Sequence, residues 1–280
     1  MKTLVIFIII FCLTTNYAIA SGEYKHFAIY YSDKNSLELL SNFELIVLDS
    51  QDHPDMDVML SKGVTVLGYL SLGEVEKRRN YFNLLKETGL LSGQNKNWPD
   101  SYFIDVRNNL WAHIIIDKLV PDILHQGFKG IFIDTLDSTE ELEKTNPRKY
   151  RGVKESAANI IKAIRLNYPD IKIMVNRGYN IFPLISNDID MELAESVYTS
   201  YDFKTKKSHI TDPTIYKDHL AILNNIKKIN PKISIFTLDY WDIKDTDGIS
   251  KIYQEERKNG FIPYVATIEL DKVITEPRKK

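Results

Sequence analysis

Eight short runs rich in β-branched, aliphatic and aromatic residues recur along the chain, separated by segments whose apolar residues fall three or four apart. This switching of period constrains the fold more than any other feature. A strand-length apolar run followed by an amphipathic helix buries itself as a repeated β-α unit. The runs cover 27–32, 44–49, 65–74, 130–137, 172–178, 191–198, 234–241 and 261–267. They are continuously apolar rather than alternating, which implies burial on both faces and hence a parallel sheet covered by helices. Of the helical stretches, 108–127 starts at Asn108 or Asn109 and ends at Gly127, and 246–260 ends at Gly260. The stretches 153–169 and 214–231 stop at Pro169 and Pro231, where a helix cannot continue.

Eight such units in a chain of 280 residues predict an α/β fold, a (β/α)8 TIM barrel in a single domain. A doubly wound open sheet would favour fewer strands and a Gly-rich loop after the first strand. Here that loop reads "YYSDKNS", without glycine. Residues 75–105 do not fit a simple crossover. They predict an insertion at the barrel mouth, with 101–108 as an extra short strand or rim segment.

In a barrel, chemistry sits at the C-terminal ends of the strands, because their loops converge on one opening. Those ends carry Tyr30, Tyr31 and Ser32; Asp49; Tyr69, Ser71 and Glu74; Asp134 and Asp137; Asn176 and Arg177; Glu195 and Tyr198; Asp239 and Tyr240; Thr267 and Glu269. Any one polar strand end is ordinary, but their gathering at one rim predicts a site. Glycoside hydrolysis needs two carboxyl groups facing each other across a cleft. Asp134 after the fourth strand and Glu195 after the sixth are two strands apart, which suits that spacing. Each has a structural alternative: an N-cap of the next segment for Asp134, and a buried ion pair with Arg177 for Glu195. For Asp137, capping or loop bracing competes with sugar contact.

Other chemistries lack their residues. No His pair has metal-ligand spacing, and neither a G-x-S-x-G elbow nor a phosphate loop occurs, so no metal or cofactor is expected. "DTDG" (245–248) resembles the start of a calcium loop but lacks the later Glu and reads better as a helix start. A count of 36 basic against 38 acidic residues gives a formal charge of −2, which leaves no basic excess for nucleic acid. Residues 1–20 read as a signal peptide: Lys2, the apolar run "LVIFIIIFCL", then Ala18-Ile19-Ala20 as a small-x-small cleavage site. That run is too short to span a bilayer. The expectation is a secreted or periplasmic protein, residues 21–280, without a stable membrane anchor and monomeric. Cys12, the sole cysteine, falls in the signal, so the mature chain has neither thiol chemistry nor disulfides.

The segments "GFKGIFIDTLDS" (127–138), "MVNRG" (174–178) and "AESVYTSYDF" (194–203) resemble glycoside hydrolase family 114, the endo-α-1,4-polygalactosaminidase or spherulin-4-like group with its bacterial relatives. The resemblance covers nearly all of the mature chain. It implies a (β/α)8 barrel that hydrolyses α-1,4 linkages in galactosamine-containing polysaccharide, with an Asp ending strand four and a Glu ending strand six as catalytic pair. The motif matches carry those roles to Asp134 and to Glu195, in preference to Glu192. They place Asn176 as a polar residue lining the pocket. The sequence departs from the fungal members at 75–105 and after Glu195.

The resulting expectation is an exported, endo-acting and retaining glycosidase, with Asp134 as nucleophile and Glu195 as general acid/base. Tyr31, Asp49, Tyr69, Asp137, Asn176, Tyr198, Asp239 and Tyr240 are expected to line the sugar subsites, Asp49 and Asp239 by hydrogen bonds to hydroxyl or amino groups. The competing expectation is a barrel that binds glycan or scaffolds without hydrolysis.

Overall fold

The computed structural model describes residues 24–34 and 36–277; the proposed signal peptide and Cys12 lie outside the described residues. Eight parallel strands form one sheet in chain order: β1 (Phe27–Tyr30), β2 (Leu45–Leu48), β3 (Thr65–Ser71), β4 (Gly130–Asp134), β5 (Lys172–Asn176), β6 (Met191–Glu195), β7 (Ser234–Tyr240) and β8 (Ile262–Ala266). The ends of the sheet meet. The Phe27 and Tyr264 rings lie 5.6 Å apart, and the Tyr31 N–H donates to the Leu270 carbonyl at 2.8 Å beyond β8. The expected barrel is thus formed.

Strand parity decides what enters the barrel, since successive side chains point to opposite faces. Phe27, Ile29 and Tyr31, with Phe132 and Asp134, Leu193 and Glu195, Leu238 and Tyr240, share the inward parity; all but Phe27 line the cavity at the mouth. Below it, Phe27 packs edge-on against Phe236 at 4.9 Å. The residues between them, such as Glu192 and Asp239, point outward beneath the helices, and both are 0% exposed.

The outer layer follows local capping rules. The helix Pro213–Ile229 starts with Asp212 accepting from the Thr214 N–H and Pro213 in its first turn, where a proline has no partner to lose. The "DTDG" stretch starts a helix, as expected: Asp245 caps Thr246–Lys258 by accepting from the Gly248 N–H. The stretch 108–127, expected as one helix, is Asn109–Ile114, a widened π-helical turn at Ile115–Leu119, and Val120–His125. Pro121 lacks an N–H and its ring crowds the preceding turn, so the ladder there shifts its register.

Three expected strands end three residues early. The run 130–137 stops at Asp134, and the next helix starts at Leu136. The run 65–74 breaks after Ser71, and Glu74–Glu76 joins Ser101–Ile104 and Leu91–Gln94 in a separate antiparallel rim sheet. This gives residues 75–105 their predicted place at the mouth. The run 191–198 stops at Glu195, and Thr199–Asp202 pairs with Lys207–Ile210 in a hairpin beside the opening.

Candidate active site

The barrel mouth opens into a cavity of about 1560 Å³. At its floor the ends of β4, β5 and β6 bring three side chains together. Asn176 Nδ2 donates to Asp134 Oδ1 at 2.9 Å and to Glu195 Oε2 at 3.0 Å. The two N–H bonds of an amide diverge by about 120°, which sets those carboxylate oxygens roughly 5 Å apart.

Each carboxyl is held by further donors. Asp134 Oδ2 accepts from the Tyr69 hydroxyl at 2.9 Å, and its Oδ1 from the Thr135 N–H at 2.8 Å. Glu195 Oε1 accepts from the Tyr240 hydroxyl at 2.7 Å. Burial and the facing Glu195 raise Asp134 to about 6, against the Asn176 and Tyr69 hydrogen bonds, which lower it. The Tyr31 ring stands edge-on to Tyr69 at 5.4 Å. Burial and the carboxylates of Asp134, Asp49 and Glu195 push its phenol well above the ordinary range, so it faces the same group of acids.

The residue after each of these strands is left-handed: Thr135 at φ 65°, Arg177 at φ 55° and Ser196 at φ 57°. None is glycine, and such conformations gather at functional sites. Each turns the chain away just past Asp134, Asn176 or Glu195, leaving those side chains directed into the cavity. Thr135 is braced from β3: its hydroxyl accepts from the Gly73 N–H at 2.8 Å and meets the Ser71 hydroxyl at 2.8 Å. Gly73 is required there, because a Cβ would stand 2.4 Å from the Thr135 carbonyl oxygen.

The structural alternatives resolve differently for each acid. Asp134 does not cap the following helix, Leu136–Thr145, whose N-cap is Thr135. Arg177 does not pair with the Glu195 carboxylate. Its guanidinium donates to the Glu195 backbone carbonyl at 3.0 Å and reaches Asp137 at 3.4 Å. Asp137 lies in the first helical turn and also lines the cavity.

Tyr31, Tyr69, Asp137, Asn176 and Tyr240 line the cavity with Asp134 and Glu195. Three expected subsite residues differ. Asp49 reaches the cavity wall but is 1% exposed and already committed. Arg79 donates to both its oxygens at 2.8 and 2.9 Å, and Arg78 donates as well. Burial raises Asp49's proton affinity, but the two guanidiniums outweigh it and hold the carboxyl below its usual range. Asp239 is corrected out of the cleft: on the outward parity of β7, it accepts from the Thr199 N–H at 2.7 Å and the Thr199 hydroxyl at 3.0 Å. There it anchors the start of the hairpin from behind. Tyr198 is corrected likewise; past the turn after β6 it packs on Ile249, Ile252, Tyr253 and Val265, edge-on to Tyr216 at 5.1 Å.

Sequence reasoning missed Arg78 and Arg79, whose signal was two adjacent arginines inside the mouth insertion. It also missed Trp98 and Phe203, which line the cavity from the rim sheet and the hairpin. The cavity wall holds twelve acidic and five basic side chains, an acidic cleft in a nearly neutral protein. Among the described residues, no group of three or more His, Cys, Asp or Glu side chains is placed to hold a metal ion, and no helix is long and apolar enough to cross a membrane.

The sequence profile of glycoside-hydrolase family GH114 matches residues 14–280. An uncharacterized protein of Thermotoga maritima is 26% identical over 253 residues, covering 82% of this chain and 76% of the relative. The glycoside hydrolase domain of PelA from Pseudomonas aeruginosa superposes with a TM-score of 0.78 at 22% identity, over 90% of this chain and 98% of that domain. Aspergillus fumigatus Ega3 in complex with galactosamine gives 0.67 at 14% identity, over 94% of this chain and all (100%) of that one.

Proposed function

The chain belongs to glycoside-hydrolase family GH114, and from that premise we propose that it is an exported, endo-acting, retaining hydrolase of α-1,4-linked galactosamine-type polysaccharide, with Asp134 and Glu195 as its catalytic pair. The observation that carries this reading is the bridge through Asn176, which holds both carboxyls in one cleft. A separation of roughly 5 Å supports retention, since inverting enzymes leave about 6.5–9.5 Å for a water between the two groups.

In the first step Asp134 attacks the anomeric carbon as Glu195 gives its proton to the departing glycosidic oxygen. A water then enters, loses a proton to Glu195 and displaces Asp134, so the anomeric configuration is inverted twice. Asp134 suits the attacking role because three donors, from Tyr69, Asn176 and the Thr135 backbone, fix its oxygens. Glu195 has a longer side chain and two donors, which suits a group that must follow a proton from leaving group to water.

Substrate class follows from charge and from the relatives. A de-N-acetylated galactosamine chain carries an ammonium on each residue, and the twelve acids against five bases of the cleft favour a polycation. The likeness to Ega3, a protein seen with galactosamine, supports the same class. Export is supported by the apolar run and Ala18-Ile19-Ala20 before the barrel.

The test compares wild type with Asp134→Asn and Glu195→Gln on partially deacetylated α-1,4-polygalactosamine, following new reducing ends and the configuration of the first product. Cleavage by wild type alone, with an α product, is expected. Equal activity in all three would refute the site, and a β product would refute retention. Binding without cleavage by wild type would favour the glycan-binding barrel.

A further inference from the structure

Two large aromatic side chains at the cleft mouth belong to none of the machinery described. Trp98 sits on the turn between two strands of the rim sheet, and Phe203 at the turn of the hairpin after β6. Each is 52% exposed, yet both line the cavity that holds Asp134 and Glu195. Their rings meet edge-on at 5.5 Å and 87°. Tyr201 continues the row at 5.2 Å from Phe203 and packs against the core.

Both turns are braced, so the rings are presented rather than stranded. Asn95 Oδ1 accepts from the N–H groups of Asn97 and Trp98 at 2.9 and 3.3 Å, and its amide donates to Glu74 at 3.0 and 3.1 Å. Asp202 accepts from the Lys204 N–H at 2.8 Å and the Thr205 hydroxyl at 2.9 Å. Neither ring gains much burial from this, which makes stability a poor reason for placing them there.

We propose that Trp98, Phe203 and Tyr201 form a stacking subsite, away from the cleaved bond, that takes one galacto-configured amino-sugar unit of the substrate chain and makes cleavage depend on chain length. The proposal rests on the glycosidase reading above and deepens it. A galacto-configured ring has its C4 hydroxyl axial, which leaves the C3–C4–C5–C6 edge of the opposite face as a continuous apolar patch. An aromatic ring covers such a patch, and a neighbouring ammonium gains from the ring's negative face. The cavity also exceeds the roughly 300–1,000 Å³ of a single small-ligand pocket, leaving room for several sugar units between the catalytic pair and this corner. A distal hold on the chain is binding energy from a remote part of the substrate, which an enzyme can spend at the reacting bond.

The experiment measures kcat/KM on a long de-N-acetylated α-1,4-galactosamine polymer and on short oligomers of it, for wild type, Trp98→Ala, Phe203→Ala and Trp98→Phe. Thermal unfolding of each variant serves as the fold control. The expected result is a loss of roughly tenfold on the polymer for either alanine variant, the worth of one good aromatic contact, with the short oligomers unaffected and Trp98→Phe largely restored. A second readout uses Asp134→Asn, which should bind without turning over. Polymer should shift its tryptophan emission, and Trp98→Phe in that background should remove the shift, since Trp111 is buried and Trp241 lies outside the cavity lining. Losses equal on long and short substrates, or no loss at all, would overturn the subsite while leaving the catalytic assignment standing. Failure of wild type to cleave any of these chains would overturn both.

Discussion

Removing the amide that bridges the two carboxyls is the sharpest perturbation of the site. Asn176→Ala deletes two hydrogen bonds, at 2.9 and 3.0 Å, and the one to Asp134, which must be ionised to attack, is the charge-assisted bond from which the magnitude is worked. Such a bond contributes about 1.5–3 kcal/mol. With about 1.4 kcal/mol per tenfold, kcat/KM should fall roughly ten- to hundredfold. The pH profile carries independent information. Burial and Glu195 raise Asp134 to about 6, while the Asn176 bond lowers it. Without that bond the value moves higher. Attack requires ionised Asp134, so the acid limb of activity should shift to higher pH. The assay is reducing-end release from the galactosamine polymer across pH, with thermal unfolding as the fold control. Retention of kcat/KM within about threefold, under 1 kcal/mol, with an unmoved acid limb, would refute the bridging role.

The two phenols that donate to the catalytic pair separate the two carboxyls. Tyr69→Phe should slow cleavage and move the acid limb upward, because its bond lowers Asp134; Tyr240→Phe should slow cleavage without moving that limb, and identical profiles would count against the assignment. Asp49→Ala leaves Arg79, whose side chain is 4% exposed, with Glu76 as its remaining carboxylate, at 3.0 Å. Because that contact compensates part of the guanidinium charge, the loss in stability should fall at or below the low end of the roughly 3–5 kcal/mol of a broken buried pair, read as a lower denaturant midpoint. Because the Asp49 carboxyl is held below its ordinary range, its stabilisation is present at neutral pH and fades on acidification through that lowered value. Glu256 behaves oppositely. Burial and the facing Asp239 raise it from 4.5 to about 9, so its contribution is full below 4.5 and declines as pH rises toward 9. Glu256→Gln cannot ionise, and the wild-type melting temperature should fall relative to the variant across that window; parallel curves would show that Glu256 does not titrate there.

The barrel was legible because its signal is repetition: eight apolar runs with helices between them leave few other ways to bury both faces of a sheet. The catalytic floor was legible for a related reason, since Asp134, Asn176 and Glu195 each end a strand and share its inward parity. Asp239 also ends an apolar run, yet it stands one residue out of phase, and a shift of one position reverses the face. Tyr198 was not legible because the run 191–198 has the composition of one strand, whereas the left-handed turn at Ser196 redirects the chain within it. Asp49 does reach the cavity, but its partners are arginines rather than a sugar. Those arginines lie 29 and 30 residues further on, inside an insertion whose path local periodicity cannot give. The same insertion and the hairpin hid Trp98 and Phe203, whose rings meet although the two residues lie far apart in the chain.

The three left-handed residues explain how the site is held before substrate arrives. An ordinary side chain in that conformation costs about 1–2 kcal/mol, so three in a row around the mouth need compensation from their surroundings. Each receives it from a strand other than its own. Thr135 is tied to Ser71 and Gly73 at the end of β3. The Arg177 N–H donates to Leu193 on β6 at 2.9 Å, and the Ser196 N–H to Leu238 on β7 at 2.8 Å. The strain beside Asp134, Asn176 and Glu195 is therefore offset by a belt of bonds running from β3 to β7, and a change in one loop is resisted by its neighbour. Charge stabilisation is largest when the groups supplying it need no rearrangement during reaction. The barrel thus contributes to catalysis through its closure: each strand fixes the end of another, and the carboxyl pair inherits that rigidity.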